Sequence, residues 1–257
     1  MDEGGKSMRR FAERVRKIPR WGWGLGMLCL ALEYGLYRLG AWLSIELGTA
    51  AHAIPCKIPV IDDQIPMVPV FVVIYLFSYV FWICGQAAVS LTGKRNFINY
   101  LAGLALACGV GFLFFVFLPT YMDRAAEGLM EMADRMGPFR WGLEIVYAAD
   151  GGERAFNLFP SYHCLISAYC YLGVRKRGEI SRGYRIYSLV MAVLICLSAM
   201  LTKQHYFIDV AGGVGIALLC HGLIQHLNRE KGRKRKTQIV GMDESSSVSR
   251  RSVVEFR

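Results

Sequence analysis

The chain has 257 residues, of which 54% are hydrophobic, with a mean hydropathy of +0.33 and a formal net charge of +10. A composition this apolar differs from that of water-soluble domains and indicates a membrane protein. The basic residues cluster in short segments between apolar runs, as the positive-inside rule describes, so we expect membrane loops and no nucleic-acid partner.

The two ends of the chain are polar and basic. Residues 1–20 contain seven Lys or Arg residues, and their apolar residues recur at helical spacing, which predicts a basic helix on the cytoplasmic membrane surface. Residues 228–257 are rich in Lys, Arg and Ser and are predicted to form a disordered cytoplasmic tail. Residues 21–227 are predicted to form one membrane domain.

Six apolar runs fill this domain, and each is predicted to be a transmembrane helix, because about 20 helical residues cross the hydrocarbon core. The runs cover approximately residues 21–43, 70–91, 97–118, 159–174, 187–201 and 205–227. The fourth run is short, and Glu33 and Arg38 inside the first run are given no chemical role. The predicted fold class is therefore all-α, a polytopic membrane protein with a bundle of six transmembrane helices.

The loops between the runs differ in charge. Of the 30 Lys and Arg residues, 23 lie in residues 1–20, 92–96, 175–185 and 228–257. The positive-inside rule assigns these four segments, with both termini, to the cytoplasm. We then expect an integral protein of the plasma membrane, with the loops 44–68 and 119–158 on its outer face. Part of 119–158 is expected to be an amphipathic helix on the membrane.

Eight cysteines are scattered along the chain without a CxxC pair: Cys29, Cys56, Cys84, Cys108, Cys164, Cys170, Cys196 and Cys220. Seven of them lie in apolar runs. We therefore expect small core residues with free thiols rather than a disulfide framework or a zinc site.

The start of the last apolar run contains His205 and Asp209, four residues apart. On a helix such a pair shares one face, with Cβ atoms about 5–6 Å apart. The carboxylate can accept a hydrogen bond from one imidazole nitrogen and leave the other basic. Lys203 adds a cation where a helix N-terminus already favours an anion. Alternatively, the two side chains only satisfy each other's hydrogen-bonding groups inside the membrane, although ionisable groups there are costly and usually functional.

Three polar clusters are predicted to meet at the outer face: Arg124 after the third run, Ser161 and His163 at the start of the fourth, and residues 203–209. A serine at a helix start, beside free backbone N–H groups, suits phosphate oxygens. Two histidines with a carboxylate and cations fit phosphoryl transfer, in which one histidine attacks phosphorus and the other protonates the leaving oxygen. Each residue alone also has a structural explanation, as a helix start, a core histidine or an interfacial charge.

The sequence Pro160-Ser161-Tyr162-His163, followed by His205-x-x-x-Asp209 in a six-span protein, resembles the type 2 phosphatidic acid phosphatase (PAP2) superfamily. The resemblance covers about residues 69–227. The family pattern is K-x6-R-P, then P-S-x-H, then S-R-x5-H-x3-D. Arg124 matches the arginine of the first motif and Ser198 matches the serine of the third.

The sequence also departs from the family pattern. Phe117 replaces the lysine of the first motif, Ala125 its proline, and Ala199 the arginine of the third motif. These departures look more like the branch that includes inositol phosphorylceramide synthase and sphingomyelin synthase, where the two histidines and the aspartate persist and the outer basic residues vary. Lys203 is then expected to replace the missing arginine as a phosphate ligand.

The resemblance implies a role for each site residue. His205 is the nucleophile that forms a phosphohistidine, Asp209 fixes its tautomer, and His163 is the general acid on the leaving group and then the base on the acceptor. The implied phosphate-binding residues are Arg124, Ser161 and Lys203. No metal or other cofactor is implied.

The expected function is hydrolysis of a lipid phosphate or diphosphate at the outer membrane face, with the lipid substrate and membrane lipids as partners. An alcohol acceptor in place of water would make the protein a lipid phosphotransferase of the inositol phosphorylceramide synthase type. The non-enzymatic alternative is a transporter or scaffold that binds an anionic headgroup. Two histidines argue against it, because arginines alone would serve for binding. The sequence specifies neither the lipid nor the oligomeric state.

Overall fold

Helices dominate the protein, as its long apolar runs require. The structure, a computed structural model, describes residue 13 and residues 16–254, with side chains up to residue 231 and at residue 233. The described helices are α1 (Arg20–Glu46), α2 (Pro59–Asp62), α3 (Phe71–Ser90), α4 (Lys94–Phe117), α5 (Leu129–Asp134), α6 (Arg140–Ala149), α7 (Tyr162–Val174), α8 (Arg182–Leu201) and α9 (Phe207–Val254). The predicted basic helix in residues 1–20 lies almost wholly outside the described residues.

Among the described residues, four helices are long and apolar enough to cross a membrane: α3, α4, α8 and the first part of α9, Phe207–Lys231. Of the other two predicted spans, α1 has 27 residues with four charged side chains, and α7 has only 13 residues. The helical, membrane-type architecture agrees with the prediction. The count of six spans stays a prediction.

Helix α7 lies at the centre of the bundle. It packs against α3, α4, α8 and α9, and most of its residues are buried. Leu165, Ile166, Tyr169 and Cys170 of α7 join aromatic residues of α3 and α4 in the largest core cluster. A helix buried on all sides needs apolar residues all round, which is why the fourth run carries no amphipathic pattern.

A small sheet covers one end of the bundle. Its strands are β1 (Ile54–Pro55), β2 (Thr120–Asp123) and β3 (Arg154–Phe156), with β2 in the middle, parallel to β1 and antiparallel to β3. The sheet therefore joins the loop after α1 to the segment between α4 and α7.

The segment between α4 and α7 also contains the amphipathic helix that the sequence predicts within residues 119–158. In α6, Leu143 and Tyr147 are buried, whereas Trp141 and Ile145 are exposed. The buried side chains pack on Val72 of α3. This contact holds the segment over the end of the bundle where the predicted site residues lie.

Helix α9 continues to Val254 and so includes most of residues 228–257. The sequence predicts disorder for that tail, and this expectation stays a prediction.

Candidate active site

The first turns of α7 and α9 meet through their backbones. Ser161 is the N-cap of α7, and its Oγ accepts a hydrogen bond from the Cys164 N–H at 3.4 Å. The Ser161 N–H donates to the carbonyl oxygen of Asp209 in α9 at 3.0 Å. A Cβ at Gly213 would lie 2.4 Å from the Ser161 carbonyl oxygen, so only glycine permits this approach. The backbone thus places the P-S-x-H and H-x-x-x-D motifs side by side.

Thr120 of β2 holds the segment that leads into α7. Its carbonyl oxygen accepts from the Asn157 N–H at 2.9 Å. Its hydroxyl accepts from the N–H groups of Leu158 at 3.1 Å and Phe159 at 2.8 Å. Three successive amides are therefore fixed by one residue of the sheet.

His163 lies in the first turn of α7 among aromatic rings of α3. Its ring stacks on Tyr75 with the centroids 4.0 Å apart, and its Nδ1 lies 3.1 Å from the Tyr75 hydroxyl oxygen. The rings of Tyr79 and Trp82 lie 5.6 and 4.9 Å away. Nε2 is buried and has no hydrogen-bond partner among the described residues. A buried ring nitrogen without a partner is available to a ligand.

His205 and Asp209 face each other, although not on one helix face as the sequence predicts. His205 precedes the first residue of α9, and Asp209 lies in the first turn. His205 Nδ1 is 3.6 Å from Asp209 Oδ2, just beyond hydrogen-bond distance. Catalytic hydrogen bonds are often this long in a free enzyme and shorten when substrate binds.

The Asp209 carboxylate is buried and only partly satisfied. Its Oδ2 accepts from the Tyr206 N–H at 2.9 Å, and its Oδ1 has no partner within the described part of the chain. The start of α9 is fixed further by Asp62, whose Oδ1 accepts from the Phe207 N–H at 2.8 Å. The backbone between His205 and Asp209 is therefore held at two N–H groups, those of Tyr206 and Phe207.

His163 and His205 line one cavity of about 80 Å³, which we call the aromatic cavity. Its walls come from α1, α3, α7 and the segment before α7. Its aromatic lining residues are Tyr34, Tyr37, Tyr75, Tyr79, Trp82, Phe156 and Tyr162. Its other polar lining residues are Glu33, Asp150 and Asn157, and no Lys or Arg of the described part of the chain belongs to the lining.

His205 also lines a second cavity of about 300 Å³, which we call the charged cavity. The charged residues of its lining are Lys57, Asp62, Asp63, Glu127 and Lys203. Lys57 forms ion pairs with Asp63 at 2.8 Å and Glu127 at 3.0 Å. His205 therefore separates an aromatic space from a charged one.

Lys203 lies in the charged cavity and not in the aromatic one. Its backbone has a left-handed conformation, with φ of 54°, and its Nζ donates to the carbonyl oxygens of Asp62, at 3.2 Å, and Ile65. Burial lowers the pKa of Lys203, against the raising effect of the nearby Glu127 carboxylate. The ammonium group of Lys203 thus lies in the charged cavity, which His205 also lines.

Arg124 is fully buried behind the aromatic cavity. Nη1 donates to the Gly152 carbonyl oxygen at 2.9 Å, and Nη2 donates to Gln204 Oε1 at 3.0 Å and pairs with Asp150 at 3.4 Å. Its guanidinium also lies over the Tyr147 ring, 4.4 Å from the centroid. Arg124 lines neither of the two cavities.

The structure thus brings His163, His205 and Asp209 together. The hydroxyl of Ser161 and the cations of Arg124 and Lys203 are bonded to groups of the protein itself. Their predicted role in phosphate binding stays a prediction.

Asn157 is a further candidate site residue, one for which the sequence predicts no role. It lines the aromatic cavity and is 2% exposed, and neither its Nδ2 nor its Oδ1 has a partner among the described residues. Its φ is 60°, a conformation that asparagine tolerates better than most residues. In the sequence, the signal for a site role of Asn157 is its position three residues before Pro160.

No group of three or more His, Cys, Asp and Glu side chains is arranged to hold a metal ion in the described part of the chain. The side chains that face the two histidines are aromatic rings, amides and isolated carboxylates.

A comparison with protein families gives one match, to a family model described as PAP2 superfamily, over residues 54–223. The matched range contains every predicted site residue and begins after α1. Comparisons with curated proteins and with solved structures give no match.

Proposed function

The chain belongs to the PAP2 superfamily, and from this we propose that it is an integral membrane lipid phosphate phosphatase that acts at the outer membrane face through a phosphohistidine. Members of the superfamily are phosphatases and phosphotransferases, so the reaction class follows from membership. The lipid, the acceptor, the membrane face and the residue roles belong to the proposal.

One observation carries the proposal: two histidines from different segments of the chain line one cavity, and their partners differ. His205 faces the buried carboxylate of Asp209, which favours a basic nitrogen on the opposite side of the ring. His163 faces a neutral hydroxyl of Tyr75 and has a free Nε2. A site that only bound an anion would need neither arrangement.

In the first step, the ring nitrogen of His205 that points away from Asp209 attacks phosphorus. A P–N bond forms, the bond from phosphorus to the leaving oxygen breaks, and protonated His163 gives that oxygen the proton of its Nε2 and becomes neutral. In the second step, water gives a proton to His163 as its oxygen attacks phosphorus. The P–N bond then breaks, and inorganic phosphate and free His205 are released. Each histidine returns to its starting state.

The phosphate in this proposal lies beside His205, where the two cavities adjoin. Lys203 reaches it from the charged cavity, and Asn157 offers an amide N–H from the aromatic cavity. In this proposal the N-terminus of α7, where Ser161 is the N-cap, adds its positive dipole end to the phosphate site. Arg124 contributes through its positive charge from behind Asp150 and Gln204.

A lipid phosphotransferase is the second candidate, and it too has an observation in its favour. The leaving group and the acceptor share the His163 side of the site, because each must lie opposite His205. Two acceptor atoms in the walls of the aromatic cavity, Glu33 Oε2 and Asn157 Oδ1, have no partner among the described residues. Such atoms suit the hydroxyl groups of an alcohol.

The proposal is tested with purified full-length protein in nanodiscs and a lipid phosphate that carries labelled phosphorus. We expect inorganic phosphate from the wild type and none from His205→Ala. Addition of a polyhydroxy alcohol separates the two candidates, since a phosphotransferase would move the label onto the alcohol. Tight binding of the lipid with no release or transfer of the label would contradict both and favour a binding protein.

A further inference from the structure

A third cavity, of about 110 Å³, lies at the other end of the bundle. We call it the distal cavity. Its lining comes from the ends of α3 and α7, the start of α4 and the middle of α9, and it includes Gly173, ten residues after His163 in the sequence. At 1.5 Å per helical residue, that places it about 15 Å from His163 along α7. It shares no lining residue with either cavity at His205.

Every polar side chain in the lining of the distal cavity can donate a hydrogen bond. Arg177 contributes a guanidinium, His221 an imidazole, and Asn99, Gln225 and Asn228 contribute amides. No Asp or Glu is part of the lining within the described residues. The cavity is therefore suited to an anion, in contrast to the aromatic cavity with its two carboxylates.

A buried hydroxyl in the wall of the distal cavity lacks a partner. Tyr169 of α7 is 0% exposed, and its hydroxyl has no hydrogen bond among the described residues. Its ring meets the ring of His221 edge-on, with the centroids 5.6 Å apart. A buried hydroxyl without a partner is available to a ligand that enters the cavity.

The surroundings are strongly basic. Arg175 and Lys176 precede Arg177 in the loop after α7, and Lys94 and Arg95 begin α4. This is the end of the bundle to which the Lys and Arg distribution assigns the cytoplasm. Basic cavities between membrane helices at that face suit the headgroups of anionic lipids.

We propose that the distal cavity binds the phosphate group of an anionic membrane lipid. Arg177 pairs with the phosphate, the amides of α4 and α9 donate to its oxygens, and the acyl chains lie against the exposed apolar surface of the helices. The bound lipid links α4, α7 and α9, so its occupancy stabilises the two helices that carry the catalytic motifs. This site is independent of the proposed reaction.

The test uses full-length protein in nanodiscs of phosphatidylcholine with and without phosphatidylglycerol, with thermal unfolding and native mass spectrometry as readouts. The His205→Ala variant is measured alongside the wild type, so that turnover does not affect the result. We expect phosphatidylglycerol to raise the melting temperature and to be retained through the gas phase in both proteins.

Arg177→Gln should lose about tenfold in phosphatidylglycerol affinity, a typical effect of losing one charge-assisted pair. Asn228→Ala, at a partly buried position of α9, should weaken binding by a smaller factor and provides a second variant if Arg177→Gln folds poorly. Lys176→Gln is the matched control, because it removes the same charge from the same loop outside the cavity. Equal losses in Lys176→Gln and Arg177→Gln would show a diffuse surface effect and overturn the proposal. A stabilisation of the same size by inorganic phosphate in pure phosphatidylcholine would instead assign the site to a free anion.

Discussion

Tyr75 holds His163 in two ways, through a stacked ring at 4.0 Å between centroids and through its hydroxyl oxygen, 3.1 Å from Nδ1. When this oxygen accepts a hydrogen bond from Nδ1–H, protonated His163 carries its second ring proton on Nε2, the nitrogen without a partner. A proton on that atom is what a donor to a leaving oxygen requires. His205 differs, because its Nδ1 faces the carboxylate of Asp209. The two imidazoles are thus held by partners that suit different tasks.

The first prediction separates the two histidines. His205→Ala should abolish turnover and remove any acid-labile phosphate trapped on the protein by rapid quenching with labelled substrate. His163→Ala should slow turnover by a factor on the order of 10²–10⁴, the usual contribution of a general acid. Its defect should shrink for a nitrophenyl phosphate, whose leaving group needs little protonation. Label on His163, or undiminished label in His205→Ala, would reverse the two roles.

The second prediction concerns Tyr75. Tyr75→Phe keeps the stacked ring and removes the hydroxyl, so the protein should fold normally while turnover falls by up to about tenfold, the value of one neutral hydrogen bond. The loss should also shrink for the nitrophenyl substrate, because the hydroxyl acts through the proton of His163. Tyr79→Phe is the control, since its ring lies edge-on to His163 at 5.6 Å. Equal effects in both variants would mean that the Tyr75 hydroxyl has no special role.

The third prediction tests the carboxylate of Asp209. Asp209→Asn retains an oxygen that can accept from the Tyr206 N–H, so the start of α9 should persist and the melting temperature should change little. The amide can hold His205 in the wrong tautomer, and turnover should fall by a factor on the order of 10⁴. The melting temperature and the turnover are both measured on one preparation. A large fall in melting temperature with normal activity per folded molecule would make Asp209 a purely structural residue.

The fourth prediction concerns the stability that Arg124 provides. Arg124→Met leaves Asp150, Gln204 and two backbone carbonyl groups without their donor, which should cost about 3 kcal/mol of unfolding free energy. Thermal unfolding in detergent provides the measurement. Arg140→Met is the control, because the ion pair of Arg140 with Glu144 is exposed on the surface and should contribute little. If Arg124→Met unfolds like the wild type, the buried contacts of Arg124 do not stabilise the fold.

The fifth prediction is topological. In a background without the native cysteines, Glu131→Cys should react with an impermeant thiol reagent applied outside the cell, whereas Gly178→Cys should not. Glu131 lies in α5 beside the site, and Gly178 follows the basic residues after α7. The opposite labelling pattern would place the site in the cytoplasm and contradict the proposed outer-face substrate.

The long helices could be predicted from the sequence because their signal is local. The predicted run 70–91 corresponds to α3 (Phe71–Ser90), and the run 97–118 corresponds to α4 (Lys94–Phe117). The sheet could not be predicted. Its strands have two to four residues, too few for an alternating pattern, and Ile54 pairs with Thr120 far along the chain. Only the folded topology creates that pairing.

The candidate site, too, could be predicted from local sequence patterns only in part. Sequence motifs were sufficient to select His163, His205 and Asp209, and the structure places them together. The contacts of Arg124 with Gln204 and Asp150 depend on loops whose paths no local pattern determines. The same holds for Tyr75, which stands in an apolar run like any other aromatic residue until α3 packs beside α7.

The bond from the Ser161 N–H to the Asp209 carbonyl oxygen is made by main-chain atoms alone. This contact between the two histidine-bearing segments therefore requires no particular side chain at position 161 or 209. In the proposed function, substitutions of the outer cations and of the cavity walls can change the headgroup preference while the main-chain contact is retained. The family pattern has basic residues at two positions where this chain has Phe117 and Ala199. Such substitutions leave the main-chain contact between the two segments in place.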